Sequence, residues 1–339
     1  MKPFRPLFVS YASMDEFPMI GVYKRCLRLM RPLMALGVEA TLLHFGERLP
    51  LDALVRTVLK RADVRQIGLG APPTAFFDVL REVQPSIVVL GETPVRGYLA
   101  TLHRAAASMG IRQICIENYY GHSHSRVHMD RWPDISGWLF LGLPDTGSWG
   151  WMGRRVCLAP PLLARRAALD SKPAADLTIL AYDAHVARFG YDLLRRLSPP
   201  LVPTIVTTKP LQGLFGGQRT RIRQAVLPLP SETAYRQLLS RSRLVVCKNG
   251  FQQMAESLSV GTPVICPSVY GGVPPELVPP HMAPYIRISD PTAPDWRRII
   301  STVRSLPFHR VDMPWLKEFA EIRQPIDVAL RGLLRLFAT

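Results

Sequence analysis

The sequence predicts an α/β protein built from two doubly wound domains. Three observations carry the prediction: short β-branched apolar runs alternate with helical patterns, the rhythm breaks once, and it then restarts. In the first half, strand patterns at 7–11, 38–43, 86–90 and 111–116 alternate with helical patterns at 20–36, 51–61, 74–83 and 95–109. The stretch CLAPPLLARRAALDSKPAAD, 157–176, mixes proline, small residues and charges and is the candidate linker. Strand patterns resume at 177–181, 202–207, 223–227, 244–247 and 264–266. The expected organisation is a first domain over 1–157, a linker over 158–176, a second domain over 177–312, and a helical segment over 313–339 that can pack back on the first domain. Right-handed crossovers would aim both sets of strand ends at a cleft between the domains.

Composition agrees with this size and class. At 339 residues, 47% hydrophobic and 20% charged, the chain can fill two sizeable cores. The net charge is +16, and only seven of the 42 basic residues are Lys. An arginine excess suits phosphate or carboxylate partners, although codon bias gives the same skew. The basic residues are spread along the chain and no nucleic-acid module is recognisable, so no nucleic-acid partner is expected. The cysteines, Cys26, Cys115, Cys157, Cys247 and Cys266, lack paired close spacing and read as reduced core thiols. With neither a signal-peptide core nor an apolar run of spanning length, the chain reads as cytoplasmic.

The stretch SRLVVCKNGFQQMAESLSVGTPVICPS, 242–268, holds the most chemistry. An apolar run of strand length meets a Lys248-Asn249-Gly250 corner. Gly250 opens a helix with Phe251, Met254, Ala255 and Leu258 on one side; Gly261 and Pro263 end it, and a second strand follows. In such sheets ligands sit at the carboxyl ends of strands, where Lys248 to Gly250 lie. Gln252, Gln253 and Glu256 are the polar residues of the helix.

These residues resemble the nucleotide-sugar motif in the C-terminal domain of GT-B fold glycosyltransferases. The branch is that of the N-acetylglucosaminyltransferase of peptidoglycan synthesis and the nucleotide-sugar hydrolases of the pseudaminic acid pathway. Two further stretches are similar to the hydrolases: GVYKRCLRLMRPLMALGVEATLL, 21–43, with Arg25, Cys26 and Leu27, and LAPPLLARR, 158–166. The resemblance implies a GT-B type α/β fold, two Rossmann-like domains facing a central cleft, and a UDP or dTDP sugar donor. It gives Glu256 the ribose hydroxyls, with Lys248, Asn249, Gly250, Gln252 and Gln253 lining the same pocket. A carboxylate can indeed accept from two vicinal hydroxyls, and a helix start suits phosphate; a solvated helix carboxylate is the alternative. Related proteins place a pyrophosphate loop where this chain has ILAYDAHVARFG, 179–190. Here Tyr182, Asp183 and His185 replace the glycines, leaving His185 as a phosphate contact. Lys209 and Lys248 are candidates to offset the leaving diphosphate.

The first domain should bring the acceptor and a catalytic base. Asp15 and Glu16 follow the first strand; Glu117, with Asn118, Tyr119 and Tyr120, follows the strand ending at 116. Val22 stands where the hydrolases carry His after the glycine of their first loop. GHSHSRVH, 121–128, reads as a loop of polar histidines, with His122 the candidate for the site and no metal expected, since the three His share a face of neither a strand nor a helix. The segment 23–36 sets Lys24, Arg28 and Arg31 in one stripe, which suits either peripheral contact with anionic membrane or a surface helix packed on the sheet. The expected activity is glycosyl transfer from a nucleotide diphosphate sugar to an unidentified acceptor, with no cofactor. A hydrolase or epimerase using the same pocket, and a binding protein without catalysis, are the alternatives.

Overall fold

The computed structural model describes residues 4–12, 20–46, 62–68, 71–95, 97–119, 121–142, 150–151, 153–163, 175–181, 184–197, 203–207, 223–226, 232–268, 273, 275–278, 283, 285–305 and 325–338. Two compact units emerge. One holds Met1–Met14, Met19–Ala164 and Gln324–Thr339; the other holds Asp15–Pro18 and Arg165–Arg323.

The first unit is built on an eight-stranded sheet. Its strands are β1 (Pro6–Ala12), β2 (Thr41–Gly46), β3 (Asp63–Ile67), β4 (Ile87–Leu90), β5 (Arg112–Asn118), β6 (Gly137–Leu141), β7 (Gly150–Trp151) and β8 (Val156–Ala159), in the order β3-β2-β1-β4-β5-β6-β8-β7. All neighbours run parallel except β7, which is antiparallel to β8. Both faces are buried, as helix-covered parallel sheets require. On β5, Ile114 and Ile116 join one core layer and Cys115 the other; on β6, Leu139 and Leu141 oppose Trp138 and Phe140 in the same way.

One layer is closed by α1 (Ile20–Ala35), through Cys26, Leu27, Met30 and Leu33, and by α9 (Pro325–Ala338), through Ala329, Leu330, Leu333 and Leu336. The other is closed by α2 (Thr74–Val83) and α3 (Gly97–Ser108), with Phe76, Leu80, Leu99 and Leu102. The C-terminal helix is thus part of the first sheet's core. Arg112 fixes its end by donating to the carbonyls of Phe337 (2.7 Å) and Leu336 (2.9 Å). The approach of α9 to β8 is so close that a Cβ on Gly332 would stand 2.5 Å from Cys157 Sγ. Gly332→Ala should gain up to about 1 kcal/mol of helix propensity and lose more, about 1–3 kcal/mol, by overpacking. The expected net effect is a lower melting temperature. Adding Cys157→Ala should restore part of it, because that thiol is the obstructing group; a denaturation double-mutant cycle measures the coupling.

Several elements differ from the sequence reading. Leu158 and Ala159, expected in the linker, lie in β8, because the apolar VCLA run is buried on both faces. β3, with sequence DVRQI, is the polar outer strand of the sheet and has no strand-like apolar run to announce it. His122–Arg131, expected as a loop, is the helix α4. It lacks an apolar stripe, yet Ser125 N and Oγ both bond to Gly121 O and start the turn. The stripe of Lys24, Arg28 and Arg31 does not face outward as a unit: Arg28 is 3% exposed and donates to Leu162 O at 2.6 Å. The helix expected at 51–61 lies outside the described residues.

The second unit holds a parallel sheet of β9 (Ala175–Ala181), β10 (Pro203–Thr207), β11 (Arg223–Val226), β12 (Ser242–Val246), β13 (Val264–Pro267) and β14 (Ile286–Ser289), ordered β11-β10-β9-β12-β13-β14. One face is covered by α5 (Ala184–Arg196) and α8 (Trp296–Ser305), with Val186, Leu193, Ile299 and Val303 against Leu177, Ile179, Leu244 and Val246. The sheet also carries α6 (Glu232–Ser240) and α7 (Phe251–Leu258). The strand order reverses between β9 and β12, which puts the ligand-accepting crevice of a doubly wound sheet outside their carboxyl ends. The fold is α/β with two doubly wound parallel sheets, as the sequence predicts.

All five cysteines are free and buried. Burial pushes the Cys26 thiol up to about 12 and the Cys157 thiol to about 11, against a smaller opposing pull from Arg335 on the latter.

Candidate nucleotide site at a helix start

At the switch point of the second sheet, the register Val246↔Ile179 sets the corner at 247–250 beside the end of β9. From β9 the chain reaches α5, whose second residue is the exposed His185. From β12 it turns through Lys248 and Asn249 to Gly250, which precedes α7 with an extended backbone (φ −81°, ψ 129°) and no side-chain cap. The first N–H groups of a helix have no intrahelical partners, so an uncapped start offers donors and positive dipole to an anion.

Asn249 is only 1% exposed. Its Nδ2 donates to Val273 O (3.0 Å), and its carbonyl accepts from Val273 N (2.7 Å). This reciprocal pair staples the 273 segment to the corner, so the amide shapes the turn. Lys248, Gly250, Gln252 and Gln253 are half-buried around it.

Glu256 is 7% exposed in the second turn of α7, and its Oε1 accepts from Gln252 Nε2 at 3.1 Å. The solvated alternative for this carboxylate is therefore set aside by its burial. Six residues separate it from Gly250, about 9 Å along a helix axis at 1.5 Å per residue. That span is on the scale of a ribose and its diphosphate.

In the first unit, the carboxyl ends of β4 and β5 are tied together by a side chain that the sequence reading did not assign to a site. Arg25, buried on α1, donates through Nη1 to Gly91 O (2.8 Å) and Ile116 O (3.0 Å), and through Nη2 to Asn118 Oδ1 (2.7 Å). The available signal was a guanidinium set between Val22, Cys26 and Leu29 in an otherwise apolar helical pattern. Glu117 is held beside it: Oε2 accepts from Thr93 N (3.1 Å) and Thr93 Oγ1 (3.0 Å), and Oε1 accepts from Asn118 N (2.8 Å). Three donors fix this carboxylate in place. Val22 is buried in the same region, where its Cγ1 would stand 2.7 Å from a Cβ on Gly91. It is packing.

Of the remaining candidates, His122 is the first residue of α4, and its side chain lies outside the described residues. Asp15, Glu16 and Lys209 lie outside them too, as do Tyr182 and Asp183. Among the described residues, no helix is long and apolar enough to cross a membrane.

No protein-family model matches the sequence, and no curated protein matches it. Solved structures do. Arabidopsis thaliana UGT89C1, complexed with UDP-L-rhamnose, aligns over 100% of both chains with TM-score 0.64 and 10% identity. The glycotransferase of kitacinnamycin aligns over 99% of this chain and 98% of its own, with TM-score 0.62 and 15% identity. A Listeria monocytogenes protein assigned as a UDP-N-acetylglucosamine 2-epimerase aligns over 98% of this chain and 94% of its own, with TM-score 0.61 and 10% identity. At such identities the likeness is one of fold, and the fold of this chain is that of the GT-B glycosyltransferases.

Proposed function

We propose that the chain is a glycosyltransferase that moves a sugar from a nucleotide diphosphate sugar, of the UDP or dTDP type, to an acceptor hydroxyl. The observation that carries this reading is the pairing of an uncapped helix start at Gly250 with the buried carboxylate of Glu256, at the switch point of a sheet in a GT-B fold. In the proposed reaction the acceptor oxygen bonds to the anomeric carbon, and the bond from that carbon to the β-phosphate oxygen breaks. The acceptor proton passes to a base, and nucleoside diphosphate leaves.

The start of α7 and Lys248 would offset the charge that develops on the leaving diphosphate, with His185 and Lys209 as further phosphate contacts. On this reading no metal is obligatory. Glu256 would hold the ribose, Gln252 would orient Glu256, and Gln253 would line the pocket. Asp15 and Glu16 remain the leading candidates for the base, with His122 next. Glu117, already holding Thr93 and Asn118, better suits positioning of the loop after β4.

The reading is tested by incubating the purified chain with a panel of nucleotide sugars. Release of nucleoside diphosphate that depends on a cell-extract acceptor supports transfer. Release without acceptor supports hydrolysis, and conversion of the sugar supports the epimerase reading, which the Listeria monocytogenes likeness keeps in view. Binding itself should raise the melting temperature by mass action. If no nucleoside diphosphate at millimolar concentration does so, the donor-site assignment is wrong.

A second prediction concerns the base. Either Asp15→Asn or Glu16→Gln should reduce turnover by about 100-fold or more, the usual contribution of general base catalysis, while nucleotide affinity stays unchanged. Full activity in both variants would transfer the role to His122.

A further inference from the structure

The amino ends of β5, β6 and β8, at the opposite end of the first sheet from Glu117, enclose a cavity of about 930 Å³. It is lined by Arg112, Arg154, Arg155 and Arg335, with Asp134 and Ser136. Among the described lining residues, four guanidiniums stand against one carboxylate. We propose that this cavity is a second anion site, and that its ligand carries closely spaced phosphate groups.

The argument rests on how the charges are arranged. Elsewhere on the first unit some arginines pair with acids: Arg65 with Asp63 (2.9 Å) and Glu82 (2.8 Å), and Arg5 with Glu39 (3.4 Å). In the cavity the complement is different. Arg112 is engaged by the fold, through the carbonyls that end α9, and Arg335 also has a partner. Among the described residues, no hydrogen bond or ion pair engages the side chains of Arg154 or Arg155, and Asp134 forms no ion pair with any guanidinium around it. Both arginines are exposed on the turn that leads into β8, a turn opened by Gly153 at φ +118°. Guanidiniums that outnumber the carboxylates around them repel one another, and an anion relieves that repulsion. Their planar forks match phosphate oxygens two at a time. The volume is ample for a diphosphate and for the group it is attached to. The cavity lies on the first unit, whereas the proposed donor site lies on the second.

Two sources share the chemistry, a free diphosphate compound and the headgroup of an anionic lipid. The test uses the full chain, inorganic pyrophosphate as calorimetric probe, and vesicles of phosphatidylcholine with or without phosphatidic acid. The double variant Arg154→Ala, Arg155→Ala removes two exposed side chains and should lower pyrophosphate affinity at least tenfold. Asp134→Ala should raise the affinity, because it removes the one like charge facing the ligand. Lys248→Ala, at the proposed diphosphate contact of the donor site, should leave this pyrophosphate binding in place, which separates the cavity from the nucleotide site. Capture by phosphatidic-acid vesicles that the double variant loses identifies the lipid headgroup; pyrophosphate binding without capture identifies the free anion. Equal pyrophosphate affinity in the wild type and the double variant, or no binding at millimolar concentration, overturns the proposal.

Discussion

Glu256→Gln is expected to weaken binding of a nucleoside diphosphate by roughly 1.5–3 kcal/mol, the range for hydrogen bonds to a charged group. That corresponds to about ten- to hundredfold in affinity. The glutamine keeps the volume of a side chain that is 7% exposed, so the fold should tolerate it. On the proposed reading it replaces a carboxylate that accepts from two hydroxyls with an amide that presents a donor to one of them. Calorimetry with 2′-deoxy and 3′-deoxy nucleotides locates the loss. On the proposed reading the deoxy ligands bind the wild type poorly and are nearly indifferent to the substitution. Strict additivity between the substitution and either missing hydroxyl would return Glu256 to a purely structural role with Gln252.

The second large effect falls on stability. Arg25→Met should destabilise the chain by about 3 kcal/mol or more, on the scale at which removing one partner leaves buried acceptors unsatisfied. Three acceptors are at stake: Gly91 O, Ile116 O and Asn118 Oδ1. Methionine fills much of the space, so the loss reports the hydrogen bonds more than a cavity. Arg25→Lys should recover little, because an ammonium cannot reach three acceptors with the geometry of a planar fork. Equilibrium urea denaturation measures both variants. Wild-type stability in Arg25→Met would mean that water takes over those acceptors.

The two residues differ in how far they could be read from the chain. Glu256, Gly250 and the strands around them lie within one contiguous strand, helix, strand unit, whose spacing is set by local periodicity and by Gly and Pro punctuation. The meaning of Arg25 depends on Asn118, 93 residues away, and on Gly91 and Ile116 at the ends of two other strands. A spacing pattern holds no such information. The same contrast explains Asn249: its place on the corner was legible, but its amide turns inward to Val273, 24 residues on. α4 was missed for another reason. A helix with almost no apolar face is held by where its first turn starts, and periodicity cannot report that.

By itself, the sequence determined the α/β class, the βαβ rhythm, its restart in a second sheet and the strand-to-helix corner at 248–256, because each follows from residues close together along the chain. The tertiary structure alone decided that α9 closes the first sheet's core, that β3 and β8 join that sheet, that Arg28 is buried, and that four arginines from three separate stretches of the chain share one cavity. The physical reason is that sheet order and the pairing of buried polar groups are set by which distant segments can satisfy each other's hydrogen bonds and fill each other's volume. Those constraints act between strands and helices, and no single stretch of the chain contains both sides of them.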